Sequence, residues 1–287
     1  MAAKRIDSWV VSDDFWARVE PLVPTRVSVT RKTYVRQPGA GRPPKPARLV
    51  FEAVVYVLRT GCQWKALPKE RFGSASAVHK RFWSGRRQAS SKRCGRPVWP
   101  SMTRWKESPG DGRASTERYS RHRWRDKPSG PTRRIGEKNG SKRHLLVDGR
   151  GVPLSIIVTA ANVNDGKRID EVLRAIVFKR ERTPIRRSKH LCADAAYRSA
   201  EVLQIIDSHG YIPHVVDRRQ EAAIKRRQPW KKARRWVVEV CHSWFNRFRK
   251  LLVRYEKLER SFLALNHLAA AIIAFRKVPL VVNIIYG

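Results

Sequence analysis

The stretch that decides the fold class is Arg143-His-Leu-Leu-Val-Asp-Gly-Arg-Gly-Val-Pro-Leu-Ser-Ile-Ile-Val-Thr159. Two short runs rich in aliphatic residues flank the turn-forming sequence Asp148-Gly-Arg-Gly151. Aliphatic runs of this length around an Asp-Gly turn predict a β-hairpin. The hairpin also accounts for Asp148 as a turn residue rather than as a catalytic carboxylate.

The chain after this hairpin alternates between helical and strand patterns. The expected elements are a helix at 167–178, a buried strand at 190–194, a helix at 199–208, a strand at 211–216, a long helix at about 234–258 and an apolar helix at 262–275. A hairpin followed by alternating helices and strands predicts an α/β fold, with a mixed sheet covered by helices.

Residues 1–82 have a helical pattern instead. Amphipathic stretches at 15–22 and 47–60, followed by a capped basic segment that carries Lys80 and Arg81, predict three helices. Two helices, a break and a basic third helix are compatible with a helix-turn-helix-like region that binds DNA through Lys80 and Arg81. A small helical bundle with solvated basic residues is the alternative.

The charge balance indicates the kind of partner. The chain has 62 lysines and arginines against 24 acidic residues, a formal net charge of +38. Such a surplus repels itself unless a polyanion neutralises it, which favours a nucleic acid over the alternative of an anionic membrane surface. No apolar run has the length of about 20 residues that spans a bilayer, and no secretion signal is evident. The four cysteines form no CxxC pair, so neither a zinc site nor a disulfide framework is expected.

The segment 83–136 differs from both of its neighbours. Its 54 residues include no leucine or phenylalanine, 15 basic residues against 4 acidic ones, and four of the ten tryptophans. A disordered basic linker would explain the charge, although such linkers are usually poor in aromatic residues. Translation in a shifted reading frame explains the whole composition, and we take this as our hypothesis. Without the segment the chain still has a net charge of +27, so the inference of a nucleic-acid partner is unaffected.

Two carboxylates are candidates for chemistry. Asp194 follows a buried strand, where side chains commonly enter a site at the sheet edge. Glu239 lies in a helical pattern four residues after Arg235. Together they suggest a pair that holds Mg²⁺ or Mn²⁺ for phosphoryl transfer, a kind of site that usually requires three carboxylates. A capping role for Asp194 and an ordinary Arg235–Glu239 ion pair are the alternatives.

Several longer motifs resemble the insertion-sequence DDE transposases. The matching stretches are Val57-Leu-Arg-Thr-Gly-Cys-Gln-Trp-Lys-Ala-Leu-Pro68, the segment from Lys138 to Leu154, Leu191-Cys-Ala-Asp-Ala-Ala-Tyr197, Arg235-Trp-Val-Val-Glu239, Trp244-Phe-Asn-Arg-Phe-Arg249 and Val253-Arg-Tyr-Glu-Lys257. The resemblance covers the chain except for 83–136. It implies three parts: a helical DNA-binding region at 1–82, the anomalous segment, and a ribonuclease-H-like catalytic domain at 137–287.

The resemblance also implies the activity, the partners and the roles of residues. The expected reaction is metal-dependent cleavage and strand transfer of double-stranded DNA, with the element's terminal inverted repeats and a target as substrates. A homodimer would hold two ends, in the bacterial cytoplasm at the nucleoid. Asp194 would be the second acidic metal ligand and Glu239 the third, while Arg235 would contact DNA phosphates. Lys232 stands where the family has a tyrosine.

The family's first acidic ligand has no counterpart in this chain. It is expected before Lys138 in an Ile-Asp-Gly-like motif on the first strand, and Asp111 lacks an apolar strand around it. Codons for Ala114-Ser-Thr-Glu117 can contain Ile-Asp-Gly in an overlapping frame, which would leave Ser115 or Thr116 where the aspartate belongs. The alternatives to an active transposase are a non-catalytic DNA-binding protein derived from one, and a basic RNA-binding protein.

Overall fold

The computed structural model describes residues 10–23, 44–89, 112–122, 130–131, 139–177, 189–215, 226–227 and 236–277. The chain divides into two compact units, Met1–Val98 and Trp99–Gly287.

The first unit is helical, as its sequence predicts. Its helices are α1 (Asp13–Val19), α2 (Ala47–Thr60), α3 (Lys69–Phe72) and α4 (Ala75–Ala89), with single 3₁₀ turns at Glu20–Leu22 and Trp64–Ala66. Ser12 caps α1 by accepting the N–H of Phe15. Helix α2 ends at Gly61, whose φ of 74° is the left-handed conformation that glycine adopts most readily.

Aromatic side chains hold these helices together. Phe15 and Trp16 of α1 lie with their ring centroids 6.0 and 5.7 Å from that of Phe51 on α2. Tyr56 of α2 meets the buried ring of Phe72 on α3 at 5.3 Å. The unit therefore has a small core of its own, and the basic helix α4 packs on that core.

The second unit is built on one mixed sheet. Its strands are β1 (Gly112–His122), β2 (Gly130–Pro131), β3 (Asn139–Val147), β4 (Pro153–Ala160), β5 (Lys189–Ala193), β6 (Tyr211–Val215) and β7 (Val253–Arg254). The principal order across the sheet is β4-β3-β1-β5-β6. Strands β3 and β4 form the expected antiparallel hairpin, while β1, β5 and β6 run parallel to one another.

Strand β1 is central in this sheet. It pairs antiparallel with β3 from Arg113–Val147 to Arg121–Gly140, and parallel with β5 at Gly112–Leu191 and Arg113–Cys192. The segment 83–136, expected from the sequence to be out of frame or disordered, therefore contributes a strand to the sheet. Helix α4 also runs past the expected boundary at residue 82 and ends at Ala89.

The helices of this unit are α5 (Ile169–Arg174), α6 (Ala200–Ser208), α7 (Trp236–Asn246) and α8 (Glu259–Lys277). The prediction of a single helix at about 234–258 is wrong, because α7 stops at Asn246 and is followed by a 3₁₀ turn and β7. Arg254 explains the break: it is fully buried, and its guanidinium donates to the Ser141 hydroxyl at 2.8 Å and lies over the Phe262 ring. These tertiary contacts override the local helical preference.

Both faces of the sheet are covered. On one face, the buried Leu146 and Leu191 pack with residues of α5 and α6 in a common apolar cluster. On the other, Arg143 lies over the Phe245 ring of α7 and donates to the Asn266 side chain of α8 at 2.8 Å. The unit is a mixed α/β structure. Among the described residues, no helix is both long and apolar enough to cross a bilayer.

Candidate active site

Asp194 lies immediately after β5, as the sequence predicts. The preceding Leu191 and Ala193 are buried in the core, which fixes the end of the strand. Asp194 itself is half-buried, and its carbonyl accepts the N–H of Tyr197 at 2.9 Å across a single 3₁₀ turn. The almost fully buried Tyr197 anchors that turn. The aspartate is therefore held at the sheet edge by its neighbours on both sides.

Glu239 lies in the first turn of α7. The adjacent Val237 and Val238 are buried, whereas Glu239 is exposed. The apolar face of the helix is thus fixed against the core, and the carboxylate stands on the open face. Arg235, which the sequence places four residues earlier, lies outside the described residues, as does Lys232.

Strand β1 brings a further position to the sheet edge where Asp194 lies. Because Gly112 pairs with Leu191 and Arg113 with Cys192 in parallel register, counting onward along both strands makes Ser115 level with Asp194. Thr116 is the next residue. The position beside Asp194 therefore belongs to the part of the chain where the sequence analysis expected the first carboxylate to be missing.

The two predicted ligands, Asp194 and Glu239, supply two carboxylates. Across the described parts of the chain, no three His, Cys, Asp or Glu residues are grouped closely enough to hold a metal ion. Ser115 and Thr116 carry neutral hydroxyl groups, which are weaker ligands for a hard divalent cation than a carboxylate. The donor set is one carboxylate short of the three expected from the family pattern.

Strand β3 contains polar and charged residues that are buried in the core. Lys142 is buried and donates to Asp165 at 2.7 Å and to the Val163 carbonyl at 3.0 Å. The neighbouring His144 bonds the Thr159 hydroxyl at 2.7 Å, and burial lowers its pKa to about 4. Sequence reasoning missed this network, because the partners of Lys142 lie 21 and 23 residues further along the chain.

One histidine contact also escaped the sequence analysis. His190 Nδ1 on β5 lies 2.7 Å from His214 Nε2 on β6, with the ring centroids 5.0 Å apart. The two residues are 24 positions apart, and only the parallel register of the two strands reveals that they are neighbours. No metal-ligand spacing in the sequence could have indicated this pair.

The residues predicted to bind DNA in the first unit lie on α4. Lys80 is exposed and Arg81 is half-buried. Both follow the buried Val78, which fixes the helix on the small core of the unit. Their position on the outward part of a basic helix is compatible with contacts to phosphates, and the assignment stays a prediction.

Family models match the two ends of the chain. Residues 11–93 match a model described as a putative transposase of the IS4/5 family, and residues 191–276 match a transposase DDE domain. The second match contains both Asp194 and Glu239.

A curated relative supports the same assignment. The putative transposase for insertion sequence element IS402 from Burkholderia cepacia is 33% identical over 137 residues, which is 47% of this chain and 63% of the relative. The chain thus spans less than two thirds of the length of that relative.

Two solved structures overlap with the chain at low similarity. They are the Mos1 strand transfer complex (TM-score 0.26, 13% identity, 85% of this chain and 81% of that chain) and the mariner Mos1 paired end complex with Mg (TM-score 0.24, 12% identity, 92% and 85%). TM-scores this low do not establish a shared fold. The two family models and the curated relative show that both ends of the chain are similar to insertion-sequence DDE transposases.

Proposed function

We propose that this chain acts in DNA-mediated transposition of an insertion sequence by binding the element's ends, and that its own cleavage site is incomplete. The observation that carries the proposal is the parallel register of β1 and β5, which pairs Arg113 with Cys192 and, continued by two residues, makes Ser115 level with Asp194. The backbone supplies a strand where the family pattern requires its first carboxylate. The residues at that level, Ser115 and Thr116, are not carboxylates, and the one carboxylate of the strand, Glu117, follows them.

The strand arrangement supports a ribonuclease-H-like domain. Its first strand in chain order is central, with the antiparallel β3–β4 hairpin on one side and the parallel strands β5 and β6 on the other. This is the arrangement in which a first-strand residue and the residue after β5 meet at one sheet edge. The catalytic domain that we propose extends from β1 to α8, and so begins earlier than the residue 137 inferred from the motifs.

The charge of the chain supports double-stranded DNA as the partner. A net charge of +38 favours a polyanion, and phosphate contacts by lysine and arginine release counterions from DNA. We assign such contacts to Lys80 and Arg81 on α4, and to Arg235 before α7. Terminal inverted repeats and target DNA are the proposed substrates, and a homodimer would hold two ends.

The residues present do not fit a tightly held metal pair. Divalent ions such as Mg²⁺ or Mn²⁺, when bound, stabilise the charge that develops on phosphodiester oxygens during cleavage. Asp194 and Glu239 are the residues that would hold them. With a serine or threonine in the first position, one carboxylate of the expected set is missing.

The same observation favours a second candidate function. A transposase relative that binds the element's ends without cutting them would compete with the intact enzyme. This candidate differs from an enzyme that has lost one residue in the effect of restoring that residue. Its remaining carboxylates would have no catalytic use, so restoring the first one would not restore cleavage.

Restoring the missing charge tests the proposal. The full chain should bind duplex DNA carrying the element's ends, with affinity that falls steeply as salt increases, and should not nick it. Ser115→Asp or Thr116→Asp should introduce nicking that depends on Mg²⁺ or Mn²⁺ and is lost again in combination with Asp194→Asn. Ser120→Asp places the same charge on the same strand, opposite Ser141 and away from the site, and should leave the chain inactive.

Three results would count against this assignment. Failure of the chain to bind duplex DNA, with tighter binding to structured RNA, would favour the RNA-binding alternative. Efficient nicking by the unmodified chain would show that β1 lacks nothing the reaction needs. Inactive Ser115→Asp and Thr116→Asp variants that still bind DNA would favour the non-catalytic candidate.

The reading-frame hypothesis concerns the origin of β1. If it is correct, the DNA that encodes residues 80–140 contains, in an alternative frame, a leucine-containing segment with Ile-Asp-Gly overlapping the codons for Ser115 and Thr116. Stop codons throughout that frame would instead make 83–136 a genuine basic segment.

A further inference from the structure

A cavity in the first unit combines aromatic and basic residues. Its volume is about 450 Å³, and its walls include Trp64 and Lys65 from the 3₁₀ turn and His79, Lys80 and Trp83 from α4. A cavity of this size is in the range of small-molecule and cofactor sites, which are concave and lined mainly by apolar groups. Of its lining residues, the proposed function uses only Lys80, as a phosphate contact.

The aromatic walls are fixed by packing. The Trp64 ring lies 4.8 Å from the His79 ring and 5.3 Å from the Phe82 ring, measured between centroids. His79 and Trp83 are four residues apart on α4, so they share one face of the helix. The buried Leu67 and Val78 anchor the turn and the helix that carry these rings. The ring surfaces are thus held in place before a ligand arrives.

The rings are only partly covered. Trp64, His79 and Trp83 are all half-buried, so part of each ring remains accessible at the cavity. Lys65 and Lys80 are exposed beside them, and the described lining residues include no carboxylate. A flat apolar surface flanked by two ammonium groups matches the chemistry of a nucleotide, which has a planar base and an anionic phosphate.

We propose that this cavity binds a single nucleobase that has left the DNA helix, with its flanking phosphates held by Lys65 and Lys80. The inference rests on the proposed DNA-binding function and adds a substrate feature to it: an unpaired or extruded base. Stacking on aromatic side chains is tolerant of base identity, and a base that is already unpaired costs least to extract.

The preference can be measured with the full chain by fluorescence anisotropy. Two labelled duplexes would share one sequence and differ by a single unpaired thymine in one strand. We expect the chain to bind the bulged duplex about tenfold more tightly than the perfect duplex. Replacing the thymine by 2-aminopurine should also change the fluorescence of that base when the protein binds, because the base moves onto the aromatic rings.

Matched variants assign the preference to the cavity. Trp64→Leu should remove the preference while perfect-duplex affinity is retained, and Trp64→Phe should keep most of it because the ring is conserved. Tyr255→Leu removes an exposed aromatic ring from the other unit and should leave both affinities unchanged. Lys65→Ala and Lys80→Ala should each weaken binding of both duplexes. Each should also reduce the slope of log affinity against log salt concentration by about 1, whereas Lys69→Ala should not.

The outcomes separate this inference from the proposed function. Equal affinity for the two duplexes, or a preference that persists in Trp64→Leu, would overturn the inference and leave DNA binding intact. No duplex binding at all would overturn the proposed function, and this inference with it. If Trp64→Leu fails to fold, the 2-aminopurine signal of the unmodified chain decides: an unchanged signal on binding contradicts the proposal.

Discussion

Strands β1 and β3 pair side by side, yet they differ in what their sequences contribute. In β3, Leu145, Leu146 and Val147 are buried, and the charged residues between them and the strand start have partners in the core. The sequence of β1, Gly112-Arg-Ala-Ser-Thr-Glu-Arg-Tyr-Ser-Arg-His122, contains no aliphatic residue larger than alanine. Nevertheless, β1 lies at the centre of the sheet, paired on both sides.

The comparison teaches that the position of a strand and its chemistry have separate origins. Backbone hydrogen bonds to β3 and β5 place β1, and those bonds are available to almost any sequence. A metal-binding carboxylate, in contrast, depends on one side chain at one position. A chain can therefore keep the architecture of an enzyme while it lacks a residue that the reaction requires.

The largest effect is expected from breaking the buried ion pair on β3. Asp165→Asn removes the negative charge that lies 2.7 Å from the buried ammonium group of Lys142. We expect the free energy of unfolding to fall by about 4 kcal/mol, as measured by urea denaturation. Asp170→Asn makes the same change in a more exposed pair with Arg174 and should cost less than about 1 kcal/mol. Similar losses in both variants would contradict a structural role specific to Lys142.

Removing an aliphatic side chain from β3 should have a somewhat smaller effect. Leu146 is fully buried in the apolar cluster beneath α5 and α6, so Leu146→Ala leaves a cavity there. We expect a loss of about 3 kcal/mol in the free energy of unfolding. Leu252→Ala is the matched control, because that leucine is 44% exposed, and its loss should be below about 1 kcal/mol. A small effect at Leu146 would mean that the hairpin does not anchor the sheet.

The third effect depends on pH and comes from His144. Burial lowers the pKa of His144 to about 4 from an ordinary 6.5, so the folded chain keeps this histidine neutral where the unfolded chain protonates it. Stability is therefore complete above pH 6.5 and declines as the pH falls toward 4. This group should account for about 2 kcal/mol of the loss in unfolding free energy between pH 7 and pH 5. His144→Gln should remove that part of the acid sensitivity. An unchanged dependence of the unfolding free energy on pH in this variant would contradict the role of His144.

Local patterns predicted much of this fold. The β3–β4 hairpin and α2 follow their sequence signals closely, since Asp148 accepts the N–H groups of Arg150 and Val152 in the turn and Gly61 ends the helix. The expected helix through 258 was wrong because Arg254 obtains its partners from distant residues. The position of β1 was not predictable from its own sequence, since neighbouring strands determine it.

The positions of the candidate site residues were predictable from local patterns, and their roles only from the family resemblance. Asp194 at the end of β5 and Glu239 on α7 are where strand and helix patterns placed them, and the family resemblance assigned their roles. The buried polar network around Lys142 was not found, because partners such as Asp165 lie far away along the chain. The cavity beside Trp64 also depends on contacts between separate elements, which no local spacing reveals.

The central claim is that β1 occupies the place of the first carboxylate, beside Asp194, without supplying one. Mn²⁺ binding to the full chain, measured by calorimetry for the unmodified protein and for Ser115→Asp, tests it most directly. We predict weak binding by the unmodified protein, at least about tenfold tighter binding by Ser115→Asp, and loss of that gain when Asp194→Asn is added. Equal Mn²⁺ affinities in the unmodified protein and Ser115→Asp, or a gain that survives Asp194→Asn, would contradict the account.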